Sequence, residues 1–244
     1  MIQRFFSFVL SSLFHAVFAI LLIIFHGLQV VTHRCISLKA QQKVVHVLNF
    51  MILKALHILG TSQKFICEID LPKNVPLLIV SNHQSMFDIS MISWFLREKN
   101  PLFVSKKELG KGIPSISYNL RHGGSILIDR NNPRQAIREI SNFGQKLEKE
   151  ALTGVIFPEG TRSRDGKLKK FNTTGLKVLI SKMPSGYIIP VTINNSWKIA
   201  PNGNFPLGIG SRLELKVHEP VKIAHHKIDY LLEHTKNTIE KSIY

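Results

Sequence analysis

A histidine and an aspartate five positions apart, His83 and Asp88, lie in the stretch Ser81-Asn82-His83-Gln84-Ser85-Met86-Phe87-Asp88, directly after the apolar run Pro76–Val80. In one regular helix, residues five apart differ by about 140° around the axis and share no face. The two side chains can meet only if His83 sits in a turn before a helix and Asp88 in its first turns. A carboxylate on one imidazole nitrogen would fix the tautomer and raise the basicity of the other nitrogen. The pair would then be a general base. Gln84, Ser85 and Met86 between them form no nucleophile elbow of the strained strand-to-helix kind.

Three further clusters follow apolar runs. Gly123-Gly124-Ser125-Ile126-Leu127-Ile128-Asp129-Arg130 ends a short run in an acid and a base. By itself this could be a solvated pair at a strand end. Phe157-Pro158-Glu159-Gly160-Thr161-Arg162-Ser163-Arg164 combines a Pro/Gly turn with two hydroxyls and two forked donors. Arginine suits bidentate recognition of an oxyanion, so this turn is a candidate phosphate site. It lacks a P-loop or a GxGxxG, and a basic surface turn remains the alternative. In Ile188-Ile189-Pro190-Val191 a proline interrupts a strand pattern, which predicts an edge strand or a bulge.

In this order and spacing the four clusters resemble the glycerolipid acyltransferase family. Asn82-His83 through Asp88 matches its NHxxxxD block and Gly124 through Arg130 its second block, with Leu127 where an aromatic is common. Phe157 through Ser163 reads FPEGTRS, the most distinctive block, and Ile189-Pro190-Val191 matches the fourth. The resemblance covers about Leu78 to Val191, and the preceding hydrophobic helices also fit. It implies transfer of a fatty acyl group from an acyl thioester to the sn-2 hydroxyl of 1-acyl-glycerol-3-phosphate (lysophosphatidic acid), giving phosphatidic acid for phospholipid biosynthesis. His83 would be the base and Asp88 its orienting partner. Arg130, Glu159, Gly160, Thr161 and Arg162 would hold the acceptor, with the arginines on its phosphate. The donor would be acyl-CoA or an acyl carrier protein thioester, with no other cofactor and no metal. Backbone N–H groups near the start of the His83 helix are the candidate oxyanion donors. A different lysolipid acceptor, or a lipid-binding protein without catalysis, are the alternatives; the latter has no need of the His83/Asp88 pair.

These residues need a scaffold. After Gly60 short apolar runs alternate with amphipathic stretches. Strands are expected at Phe65–Ile69, Pro76–Ser81, Leu102–Val104, Ser125–Asp129, Gly154–Phe157, Tyr187–Ile193 and Arg212–Val217. Helices are expected at 134–150, started by Pro133 and lined by Ile137, Ile140, Phe143 and Leu147, and at 174–183 and 225–243. This predicts an α/β fold: a single mixed α/β acyltransferase domain over 63–244, preceded by N-terminal membrane-associated helices over 1–62.

From Phe5 to Val31 no Asp, Glu, Lys or Arg occurs. As a helix this run reaches about 40 Å, more than the ~30 Å of hydrocarbon in a bilayer. It exceeds the apolar core of a signal peptide and lacks a small-residue cleavage site, so a retained membrane segment is expected. Val44, Val45, Leu48, Met51, Ile52, Ala55, Leu56 and Leu59 then recur at helical spacing. That amphipathic helix would lie in the interface, pack on the first helix, or face the core of the following domain. Arg34, Lys39 and Lys43 after the run outweigh Arg4 before it, which puts the catalytic domain on the cytoplasmic side.

The whole chain of 244 residues carries 32 Lys+Arg against 16 Asp+Glu, a formal charge of +16 that calls for an anionic partner. The charge-free run and the absence of a reading module point to anionic membrane lipid and away from nucleic acid. Lys106, Lys107, Lys111, Lys167, Lys169 and Lys170 flank the motif strands and are candidates for that contact. Cys35 and Cys67 form no metal or redox motif and are expected to be buried, inert thiols in a reducing compartment.

Overall fold

Two long helices, α1 (Ile2–Cys35) and α2 (Leu38–Ala55), come first in the computed structural model, which describes residues 2–201 and 203–244 and side chains from residue 4 onward. Ser37 in the turn between them caps α2 by accepting the Ala40 N–H. The rest alternates strands and helices, with α4 and β8 added to the elements the sequence predicts: β1 (Ser62–Ile66), β2 (Leu77–Ser81), α3 (Phe87–Phe95), β3 (Leu102–Lys106), α4 (Ile116–His122), β4 (Ile126–Ile128), α5 (Pro133–Glu150) and β5 (Thr153–Ile156). Then come α6 (Thr173–Ser181), β6 (Tyr187–Asn194), β7 (Arg212–Val217), β8 (Val221–Lys222) and α7 (Ile228–Glu240). Pro133 is the first residue of α5, and the Asn132 side chain accepts the Gln135 N–H.

The strands form one mixed sheet in the order β1-β7-β6-β2-β5-β3-β4, with β8 beside the start of β6. Pairing is parallel except where β6 meets β7 and β8. Every residue of β2 and β5 is buried, because helices cover both faces of the sheet and alternate side chains serve alternate faces. Leu77, Ile79, Phe103 and Val155 join one cluster with Phe14 and Leu22 of α1, Leu48 and Ile52 of α2, and Met91 of α3. Leu78, Val80, Leu102 and Ile156 join the other with α5, α6 and α7. The two N-terminal helices thus share a core with the sheet. Gly154 lets α5 approach closely: a Cβ there would lie 2.4 Å from Leu147.

α1 has two unlike faces. Phe5, Val9, Leu13, Ile20, Ile24 and Val31 are exposed on its outer side, while Ser11, Phe14, Leu22 and Gln29 are buried against the domain. Both α1 and the Leu38–Leu59 stretch are long and apolar enough to cross a membrane by length and composition. In α2, Leu48, Asn49, Ile52 and Leu53 are buried, so this amphipathic helix is core-facing.

Several expectations are corrected. Pro190 lies in an interior strand, β6, between β2 on one side and β7 and β8 on the other. Its carbonyl accepts the His218 N–H, and the nitrogen on the same side faces the stretch where the neighbouring chain turns from Val217 to Val221. The ladder therefore needs no donor at Pro190. β1 starts and ends three residues earlier than Phe65–Ile69, because its register is set by pairing Ser62 with Arg212. The expected 225–243 helix is shorter, Ile228–Glu240: His225 ends a 3-10 turn, Ile223–His225, and 226–227 lie outside both. Neither thiol is fully buried: Cys35 is exposed at the end of α1 and Cys67 is half-buried.

Candidate active site

β2 delivers the chain to its C-terminal edge, where loops of an α/β sheet collect chemistry. There the Asn82 amide pairs with both the N–H and the C=O of Ile193, each at 2.8 Å, and so ties the segment leaving β2 to β6. His83 comes next, in the turn ahead of α3, and Asp88 is the second residue of that helix. The His83 Nδ1–H donates to Asp88 Oδ2 at 2.8 Å. The Asp88 carboxylate is fully buried. Besides His83 it accepts from Gln84 N (2.6 Å), Ser85 N (2.9 Å), Ser85 Oγ (3.2 Å) and Ser196 Oγ (2.5 Å). A carboxylate so held cannot rotate, and it fixes the proton on Nδ1, leaving the lone pair of Nε2 for a substrate. The ring stacks on Phe157, with centroids 4.2 Å apart.

Some of the backbone N–H groups expected to serve an oxyanion at this turn are already committed. Gln84 N and Ser85 N both point at Asp88 and Phe87 N donates to Ser85 Oγ, because the buried carboxylate needs them.

The loop after β5 wraps the same turn. Glu159 is buried and accepts the His83 N–H on one oxygen (2.7 Å) and the Lys169 N–H on the other (2.8 Å). Burial raises its pKa above the ordinary carboxylate value; the backbone donors, His83 and Lys169 only partly offset this. The His83 carbonyl accepts from Ser163 N at 2.7 Å. Thr161 and Arg162, between these anchors, are exposed. Arg130, at the end of β4, donates to the Gly160 carbonyl, and burial lowers its pKa from the usual arginine value. The fold therefore gathers His83, Asp88, Arg130, Glu159, Gly160, Thr161 and Arg162 at one edge. Both Glu159 oxygens are occupied by backbone donors, which makes it a brace between two loops. Among the described residues no group of three or more His, Cys, Asp or Glu side chains could hold a metal ion.

The model of the family described as Acyltransferase matches residues 64–194, which spans every one of these positions. The chain belongs to this acyltransferase family. A chloroplastic 1-acyl-sn-glycerol-3-phosphate acyltransferase of Brassica napus is 28% identical over 175 residues, covering 70% of this chain and 47% of that protein. The protein of that name from Helicobacter pylori is 36% identical over 122 residues, half of each chain. The chain thus spans about half the length of the curated relatives it matches. The crystal structure of a 1-acyl-sn-glycerophosphate acyltransferase from Thermotoga maritima superposes with a TM-score of 0.78, covering 98% of this chain and 95% of that one. At 23% identity that likeness establishes the fold.

Two apolar spaces flank the His83 edge on opposite faces of the sheet. A cavity of about 170 Å³ lies between α1, α2, α3, β3 and α4, lined by Phe18, Leu48, Ile52, Phe87, Phe103 and Ile116 among others. A groove of about 340 Å³ lies on the α5/α6 face, with Ile137, Ile140 and Ile156 along it and Arg130, Glu159 and Gly160 at its rim. Sequence reasoning missed the supporting residues Asn82, Gln84, Phe157 and Ser196. Gln84 Oε1 accepts the Ser196 N–H at 3.0 Å and thereby presents the Ser196 hydroxyl to Asp88. Ser196 lies 108 positions from Asp88, outside all four clusters, so nothing local could have found it.

The brace makes a prediction. Glu159→Gln replaces one acceptor oxygen with an NH2 donor and leaves one backbone N–H facing it unpaired. That costs about 1–3 kcal/mol, or roughly 2–12 °C in Tm. Glu139→Gln, at an exposed ion pair with Arg138, is the control and should barely move the thermal midpoint. Equal melting of the two variants would contradict the role of Glu159.

Proposed function

We propose that the chain transfers an acyl group from a thioester to the free hydroxyl of lysophosphatidic acid, forming phosphatidic acid. The observation that carries this is the His83–Asp88 pair: the imidazole is held by a fully buried carboxylate, and the nearby Ser85 and Ser196 hydroxyls donate to that carboxylate. Among the described residues no Ser, Thr or Cys side chain is hydrogen-bonded to Nε2. His83 Nε2 takes the proton of the acceptor hydroxyl as its oxygen attacks the thioester carbonyl. Collapse of the tetrahedral adduct breaks the carbon–sulfur bond, and the proton passes from His83 to the departing thiolate. Asp88 holds the ring and stabilises the imidazolium in between. No acyl-enzyme forms.

Arg130 and Arg162 hold the acceptor phosphate, with Gly160 and Thr161 shaping the turn between them. Glu159 acts through the backbone as a positioning residue. Fixing the phosphate sets the hydroxyl near Nε2, which removes much of the entropic barrier. An acyl chain occupies the cavity beside Phe87. The donor is acyl-CoA or an acyl carrier protein thioester; the chemistry at His83 is the same for both.

The exposed apolar stripe of α1 supports insertion into one leaflet, its inner face staying on the domain. Lys106, Lys107, Lys111, Lys167, Lys169 and Lys170 are exposed at the end of β3 and on the segments after β3 and β5, at the edge that carries His83. That edge faces anionic lipid, on the cytoplasmic side. Lys106→Glu with Lys111→Glu should then weaken binding to anionic vesicles by about 1 kcal/mol or more per residue at low salt. Co-sedimentation measures this. Unchanged partitioning would move the lipid-facing surface elsewhere.

The function itself is tested by giving the purified chain in phospholipid vesicles lysophosphatidic acid with palmitoyl-CoA or a palmitoyl carrier protein. Phosphatidic acid is quantified by mass spectrometry. Product above the His83→Ala background supports the reading; acylation of a different lysolipid alone overturns the acceptor.

A further inference from the structure

The cavity beside α3 is apolar along most of its wall, yet one end is closed by a polar pair. Gln29 of α1 is fully buried, and its Nε2 donates to the Ser115 hydroxyl. Among the described residues its Oε1 has no hydrogen-bond partner, and both residues line the cavity. A glutamine here is costly, because an unmatched acceptor in an apolar space has lost its water. Ser115 cannot turn to serve both amide atoms. Its own N–H donates to His26 Nδ1 at 3.1 Å, and its backbone has φ +64° at the start of α4. If the amide is turned over, Ser115 satisfies the oxygen and the NH2 group is left instead. One end of the amide faces the cavity either way.

Gln29 marks the end far from the chemistry. Phe18, at the other end, stacks on Phe14, which packs edge-on against Phe87, the residue before Asp88. Phe18 and Gln29 are eleven positions apart in the helix, about 16 Å along α1. A chain entering near the catalytic turn therefore meets the free amide well down its length.

We propose that this cavity recognises an acyl chain bearing a hydroxyl far from its carboxyl end, with Gln29 as the specificity-determining residue. The inference rests on the acyl-transfer reading for the identity of the chain. A hydroxyl can both donate and accept, so it satisfies whichever amide atom Ser115 leaves free. A plain chain buries the amide among methylenes.

The test uses the full chain in phospholipid vesicles and unreactive thioether analogues of stearoyl-CoA. One is plain, one carries a mid-chain hydroxyl, and one a hydroxyl next to the carboxyl end. Competition binding should favour the mid-chain hydroxyl over the plain chain by about three- to tenfold. Gln29→Leu should reverse that preference by about tenfold or more, because the hydroxyl is then buried unpaired. Gln29→Met, closer in shape, should do the same and covers the case in which Gln29→Leu folds poorly. Equal binding of plain and mid-chain analogues by the parent overturns the inference, as does preference for the hydroxyl near the carboxyl end or a ratio unmoved in both variants. Turnover on lysophosphatidic acid is read separately. Gln29-dependent selectivity without turnover would sink the proposed function and support this inference; turnover without selectivity would do the reverse.

Discussion

His83→Ala should lower acyl transfer by about 10²–10⁴-fold with little effect on acceptor binding, since a positioned general base contributes that much and the proposed phosphate ligands are Arg130 and Arg162. His83 is only half-buried, and its side chain touches Phe157 and Asp88, so the variant should fold. Asp88→Asn should approach the same loss by another route. Its amide cannot stabilise an imidazolium. With its oxygen in the place of Oδ2 it keeps His83, Gln84 N and Ser85 N as donors, but these bonds lose their charge. Its NH2 group then meets the Ser85 and Ser196 hydroxyls, which must turn to accept. That variant should also melt lower than the parent, whereas His83→Ala should not. Steady-state rates and thermal melts of both proteins separate the roles. Parent-like turnover in either variant would remove that residue from the mechanism.

Deleting residues 1–60 should do more than detach the protein from a membrane. Phe14 and Leu22 of α1 share one cluster with Leu48 and Ile52 of α2 and with Phe87, Met91 and Ile92 of α3. Ser7 Oγ and Ser11 Oγ hold the carbonyl and the N–H of Leu207. Uncovering Phe87, Met91, Ile92 and Leu207 forfeits roughly 1.5–3 kcal/mol for each side chain. The sum rivals the whole stability of a domain, about 5–15 kcal/mol. The expected result is an aggregated fragment, or one that binds a hydrophobic dye and lacks a cooperative melt. A soluble, cooperatively melting fragment of residues 61–244 would show that the helices are a separable anchor.

The reach of the sequence follows from which interactions are local. The turn-then-helix arrangement of His83 and Asp88 was legible because five residues cannot bring two side chains together in any regular helix, and an apolar strand precedes them. The start of α5 was legible because Pro133 and Asn132 act within one turn. The arginine-bearing loop after β5 was legible from its Pro/Gly punctuation and its charges.

What was misread or missed depended on a neighbour. Pro190 suggested a sheet edge, and only the departure of the chain between Val217 and Val221 makes an interior proline harmless. Backbone N–H groups near the start of the His83 helix were the candidate oxyanion donors, and the buried Asp88 carboxylate takes two of them, those of Gln84 and Ser85. Glu159 suggested a substrate contact, and its second role, bracing two loops through backbone donors 76 and 10 positions away, showed only in the tertiary structure.

By itself, then, the sequence determined the alternation of strands and helices, the apolar N-terminal helix, the basic charge and the residue types that do chemistry. These follow from periodicity, turn residues and local charge, and a single strand of text carries all of them. The tertiary structure alone decided strand order, the brace at Glu159, the support of Asp88 by Ser196 and the cavity closed by Gln29 and Ser115. Each of these depends on desolvated polar groups finding partners from distant segments, a requirement that exists only once the chain has folded around them.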